Sequence, residues 1–182
     1  MTLKILIEKL KFYGVKGVPL KWFESYLHER KQHVSINQNK SPNKFLSHGV
    51  PQGSVLGPLL FLLFINDMHK AIKAVTIRHF ADDTNLLIID KSMKKINQKV
   101  NYNLKLIKNW LTSNKISLNT GKTEIIIFKP KNKAITKHLN FRLSGQKIEP
   151  KKTVKYLGIH FQENLAWDIH LNVLVKNLNR AI

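Results

Sequence analysis

The stretch from Val55 to Ile65, VLGPLLFLLFI, carries no polar side chain, and few partners can cover such a segment. A helix that is apolar all round is buried, in a protein core or in a membrane. Spanning a bilayer takes about 20 residues, so this run is too short to cross one. It therefore reads as a core helix over about 55–71, with Ser54 as its N-cap and Pro58 tolerated in the first turn. Other elements have to surround it.

Those elements follow from periodicity. Leu3, Leu6, Ile7 and Leu10 predict a helix that Gly14 can stop, and Pro19 opens a second with Leu20, Phe23 and Leu27 along one side. Residues 31–36 and 45–48 read as short strands around the polar turn NQNKSPN. Met93, Ile96, Val100, Leu104, Ile107 and Leu111 repeat at three and four, predicting a helix over 92–112. The β-branched run TEIIIF predicts a strand. A lysine-rich loop at 129–137 then leads to short strands near 140–143, 147–149 and 154–161, and a last helix starts at Asp168. Trp22, Trp110 and Trp167 read as core aromatics.

Between the core helix and the long one lies HFADDTNLLII, His79–Ile89. Two β-rich stretches, about 75–80 and 84–89, meet at Ala81-Asp82-Asp83, predicting a hairpin with the acids at or beside its turn. The chain has 31 Lys+Arg against 11 Asp+Glu, so acids are scarce. Two adjacent carboxylates repel by roughly 1 kcal/mol in water at about 4 Å, and a solvated turn does not need both. A divalent cation does.

The net charge of +20 favours polyanionic partners, nucleic acid or an anionic membrane surface. Sixteen lysines between Lys91 and Lys155 face two acids, Glu124 and Glu149, making a tract that could follow a nucleic-acid backbone. The absence of cysteine excludes disulfides and thiolate zinc sites. The eight histidines show no metal spacing, and His79 reads as a strand side chain. The N-terminal MTLKILIEKLKFYG lacks a signal-peptide core, so no membrane or export route is visible.

The segments GVPQGSVLGPLLFLLFINDM at 49–68 and FADDT at 80–84 resemble motifs B and C of reverse transcriptases, closest to those of non-LTR, LINE- or jockey-like retrotransposons. NKISLNTGKTEIIIF at 114–128 is similar to their motif D, and VKYLGIHF at 154–161 to their motif E. The resemblance implies an α+β palm, an antiparallel sheet with helices on one face, over 1–161, with the start of the thumb at 162–182. It implies RNA-templated DNA synthesis by two-metal nucleotidyl transfer, with Mg²⁺ or Mn²⁺ as cofactor. RNA template, DNA primer and dNTPs would be the partners, together with the rest of a retrotransposon polyprotein, inside the cell in nucleus or cytoplasm.

Residue by residue, the resemblance makes Asp82 a principal metal ligand and Asp83 its support. Gln52, Gly53 and Ser54 would lie under the template and incoming nucleotide. Lys122 would act near the leaving pyrophosphate, and Tyr156, Leu157 and Gly158 would form the primer grip. The family pattern also has a third carboxylate in motif A, on a strand ahead of the helix that begins LKILIEKL, and basic fingers motifs upstream of it. Neither is found here, and Glu8, Glu24, Glu29 and Asp67 have no such context. The expectation is a palm incomplete at its N-terminus, with an unpaired sheet edge there, and inactive as an isolated chain. The alternative is a non-catalytic, basic, nucleic-acid-binding remnant of a transposable element.

Overall fold

The computed structural model describes residues 2–46, 48–51, 53–130 and 139–181, and the chain packs as two units. The first comprises residues 1–88 and 106–118, the second 89–105 and 119–182.

In the first unit the predicted helices form as α1 (Leu3–Phe12) and α2 (Gly17–Leu27). Leu6, Leu10 and Leu27 from them close on α3 (Leu56–Ile65), whose Leu60, Phe64 and Ile65 complete a buried cluster. The core helix is shorter than the periodicity implies. From Asn66 to Ala71 it tightens into a 3₁₀ turn. Lys9 Nζ donates to the Phe64 carbonyl at 2.6 Å, the acceptor that a continuing α-helix would offer to the amide of Met68. Nor is α3 buried all round. Val55 is 92% exposed, and Leu59 and Leu62 on the same stripe are also open to solvent.

Between α2 and α3 the chain makes an extended ribbon of β1 (Lys31–Gln32), β2 (Ser35–Ile36), β3 (Asn39–Lys40) and β4 (Lys44–Phe45). β1 pairs with β4 and β2 with β3, both antiparallel. After α3 come β5 (Thr76–Phe80) and β6 (Asp83–Leu87), an antiparallel hairpin as predicted. Ile77 and Leu86, paired across it, pack on Met68, Ile72, Ile107 and Leu111. The last two belong to α4 (Met93–Ser113), which passes from the second unit into the first after Lys105. Only β5 and β6 pair with each other; among the described residues neither of their outer edges meets a further strand.

The second unit is built of small ladders. β7 (Ile125–Ile126) pairs parallel with β10 (Pro150–Lys151), while β8 (Phe141–Leu143) with β9 (Gln146–Ile148) and β11 (Thr153–Tyr156) with β12 (Ile159–Gln162) are hairpins. TEIIIF pairs over two residues only, Ile125 with Pro150 and Ile126 with Lys151, and Pro150 has no N–H to extend the ladder at its start. Phe141, Leu143, Ile148 and Leu104 are its buried apolar residues. The predicted stretch 154–161 is broken into two strands, since Leu157 and Gly158 adopt φ of +48° and +84° and turn the chain back. α5 (Asp168–Ala181) starts at the expected residue. The lysine-rich loop lies mostly outside the described residues.

Helix and strand both contribute, as an α+β chain requires, but among the described residues every ladder has two strands rather than forming one sheet. The tryptophans divide. Trp110 packs against both clusters of the first unit, whereas Trp22 and Trp167 are half exposed, contrary to a core reading. Trp22 stacks on Tyr26 one helical turn away, with centroids 5.2 Å apart, so a neighbour on its own helix shelters it in place of a core.

Candidate active site

The register Phe80↔Asp83 leaves Ala81 and Asp82 as a two-residue turn, with Ala81 in the left-handed region at φ +49°. Asp83 is therefore the first residue of β6 and Asp82 the last of the turn. Both are exposed. The hairpin is held from below by Ile77 and Leu86, so the acids stand at the outer end of a packed element. One carboxylate therefore comes from the turn and the other from the first strand position, adjacent in sequence but held by different backbone.

Their surroundings are unlike those of most other acids in the chain. Asp67 meets Lys9 at 2.7 Å, Glu8 meets Lys11 at 2.9 Å, Asp90 meets Lys99 at 2.9 Å and Glu163 meets Lys129 at 3.6 Å. Glu124 pairs with Lys151 and Glu149 with Lys147. Asp82 and Asp83 form no ion pair among the described residues, although cations outnumber acids nearly three to one. Exposed carboxylate oxygens free of cations are the donor type that Mg²⁺ prefers. The donor number is another matter: among the described residues no three His, Asp or Glu side chains gather to hold a metal ion.

His79 lies beside this turn on β5, and its Nδ1 is 3.0 Å from Thr84 Oγ1 across the ladder. Its Nε2 is buried without a partner. Burial, with His69 as the second cause, holds its pKa below the usual imidazole value. The ring is a strand side chain, as its position in the sequence implies.

The bend before α3 is fastened by side chains bonded to its backbone. Ser54 Oγ donates to the Pro51 carbonyl at 2.8 Å and accepts from the Gly57 amide at 3.0 Å, which makes Ser54 the working cap of the helix. A Cβ on Gly57 would lie 2.6 Å from the Pro51 oxygen, so only glycine allows this closure. Arg30 Nη2 holds the Gly49 carbonyl at 2.9 Å. Gly57 and Arg30 are the parts that motif reading missed; a glycine three residues after a capping serine was the available signal. Gly53 is exposed at φ +79°, and Gln52 lies outside the described residues.

The other predicted site residues belong to the second unit. Lys122 is exposed at the end of a 3₁₀ turn, Thr120–Lys122. Tyr156 closes β11 opposite Ile159, and Leu157-Gly158 form the turn between them. Leu157 is 46% exposed and left-handed, not a buried strand residue. A leucine there costs roughly 1–2 kcal/mol of backbone strain, a cost often found at working sites.

A family model described as reverse transcriptase (RNA-dependent DNA polymerase) matches residues 1–161. The chain is 32% identical over 155 residues to the RNA-directed DNA polymerase from mobile element jockey of Drosophila melanogaster, covering 81% of this chain and 17% of that protein. The jockey polymerase of Drosophila funebris is 28% identical over 166 residues, 87% of this chain and 18% of that one. The probable RNA-directed DNA polymerase from transposon BS of Drosophila melanogaster is 28% identical over 185 residues, 94% and 19% of the two chains. The chain thus spans less than a fifth of the length of these relatives, and it belongs to the reverse transcriptase family.

Proposed function

We propose that this chain is the palm portion of a retrotransposon RNA-directed DNA polymerase, with residues 162–182 starting the thumb. The observation that carries it is the hairpin tip, where two exposed aspartates meet no cation among the described residues in a chain crowded with them. Asp82 would be a metal ligand and Asp83 its support. The chemistry a divalent cation supplies in such a site is stabilisation of charge on the attacking and departing oxygens of phosphoryl transfer. Gly53 and Ser54, with Gln52, would support the template and incoming dNTP, on a bend that Ser54 and Gly57 keep rigid. Lys122 would give a proton to the departing pyrophosphate. Tyr156, Leu157 and Gly158 would hold the primer terminus, and the basic tract from Lys91 to Lys155 would follow phosphates.

A chimera tests this. The jockey polymerase should retain primer extension on an RNA template when its matching segment is replaced by this chain. Asp82→Ala in the chimera should abolish extension while primer–template binding persists. A chimera that folds and extends equally well with Asp82→Ala refutes the reading. The second reading, a nucleic-acid-binding protein without catalysis, is favoured by the missing third ligand among the described residues. It predicts salt-dependent binding and an inactive chimera.

A further inference from the structure

The ribbon Lys31–Phe45 is built unlike anything else in the first unit. Every one of its residues is exposed, so no side chain of the ribbon is packed into the core. Its shape comes from the backbone: Leu46 N donates to the Arg30 carbonyl at 2.8 Å, and Ser41 N donates to the Val34 carbonyl at 2.9 Å. Ser41 Oγ accepts from the Val34 amide at 2.9 Å, and Asn37 turns the tip at φ +53°. His33 and Val34 face three residues, Ser41-Pro42-Asn43, so the return strand carries a bulge. Six residues from Lys31 to Ile36 reach about 20 Å at roughly 3.3 Å each. An isolated two-stranded ribbon is marginally stable in water, and this one leaves Val34, Ile36 and Phe45 each more than half exposed.

Its chemistry bears on what it could lie against. There is no acid from Arg30 to Asn66. Lys31, Lys40 and Lys44 form no ion pair among the described residues, and Lys31 Nζ sits 5.0 Å over the Phe45 ring. Gln32, Ser35, Asn37, Gln38, Asn39, Ser41 and Asn43 make up seven of the twelve remaining residues, all exposed. Lysine, asparagine, glutamine and serine are the side chains that contact phosphate and sugar, and a two-stranded ribbon is a shape that lies along a duplex groove. A second copy of the chain suits it poorly, since two identical acid-free arms bring like charges together.

We propose that Lys31–Phe45 is an arm that grips the sugar–phosphate backbone of a nucleic-acid duplex, at a surface separate from the acidic hairpin. The inference rests on the polymerase reading, in which the chain handles such a duplex. The test titrates the full chain into a labelled RNA–DNA duplex of 20 base pairs at several salt concentrations. The triple variant Lys31→Gln/Lys40→Gln/Lys44→Gln should bind at least about tenfold more weakly at low salt. Its log–log salt slope should be shallower by two to three, about 0.9 for each lost phosphate contact. The triple Lys→Arg variant should restore both, and thermal unfolding should be unchanged because the side chains are exposed. A photo-crosslinker in place of Gln38 should capture the duplex. Wild-type binding with an unchanged slope in the Gln variant, or with no crosslink, overturns the arm alone. Binding to phosphatidylserine vesicles that exceeds duplex binding and depends on these lysines also overturns it. No duplex binding by the wild-type chain at low salt overturns both the arm and the polymerase reading.

Discussion

At Lys9 the commonest residue type of the chain turns inward. Its Nζ meets Asp67 at 2.7 Å and lies 4.4 Å and 4.6 Å from the rings of Phe64 and Trp110. Burial lowers its pKa against the pull of Asp67, so the pair is a structural tie whose carboxylate is already engaged. That removes Asp67 as a free ligand for the hairpin. His79 gives the same logic a pH dependence. Its folded pKa is depressed below 6.5, so between that value and 6.5 the unfolded chain binds a proton that the folded chain does not. Its stabilising contribution is complete above 6.5 and is lost as pH falls through the folded value. Comparing wild type with His79→Phe at pH 8 and pH 5 isolates this term, since the other histidines are common to both. The wild type should lose more stability on acidification; parallel losses would show that the buried Nε2 is not the cause.

Among the elements, those with a strong period were legible: α1, α4, the acidic hairpin and the start of α5 all fall within a few residues of where the side chains place them. Contacts made by polar side chains at long range were not. Asn97 and Asn101, one turn apart on α4, serve β8 as a neighbouring strand would. Asn97 Oδ1 accepts from Asn140 N at 3.1 Å; Asn101 Oδ1 accepts from Arg142 N at 2.8 Å, and its Nδ2 donates to the Asn140 carbonyl at 2.7 Å. Nothing local distinguishes these asparagines from solvated ones, because their partners lie about forty positions away. Asn101→Ala should cost about 0.5–1.5 kcal/mol, since it removes the side-chain partner of the Arg142 amide and the Asn140 carbonyl. Asn109→Ala, on the exposed side of the same helix, should cost a few tenths by comparison. Equal effects in chemical denaturation would mean that α4 does not hold this strand. The site divides likewise. The positions of Asp82, Asp83 and Ser54 follow from motif and turn chemistry, whereas the turn at Leu157-Gly158 defeats a strand reading because its leucine breaks the usual preference for φ.

For the whole molecule, the question is whether these residues alone can catalyse. The acidic hairpin belongs to the first unit, while Lys122 and the Tyr156–Gly158 turn belong to the second. Within the first, Asp82 sits in the turn, Asp83 opens β6, and Asp67 is tied to Lys9. A two-metal site sets its ions about 3.5–4 Å apart, between carboxylates that bridge or flank them, and two sequence-adjacent carboxylates that no third ligating side chain joins among the described residues leave such a site open. Loss of a charged ligand from it should cost orders of magnitude in rate. The isolated chain of 182 residues should therefore bind primer–template at low salt yet show no extension with Mg²⁺ or Mn²⁺. Binding and extension measured on one preparation separate the two properties, because the lysines proposed to follow phosphates do not depend on the proposed metal ligands. Asp82→Asn should leave binding unchanged or slightly tighter, as it removes a negative charge. Extension by the bare chain that disappears on Asp82→Ala would mean that another acid completes the site, and Lys9→Met, which frees Asp67, should then alter that activity.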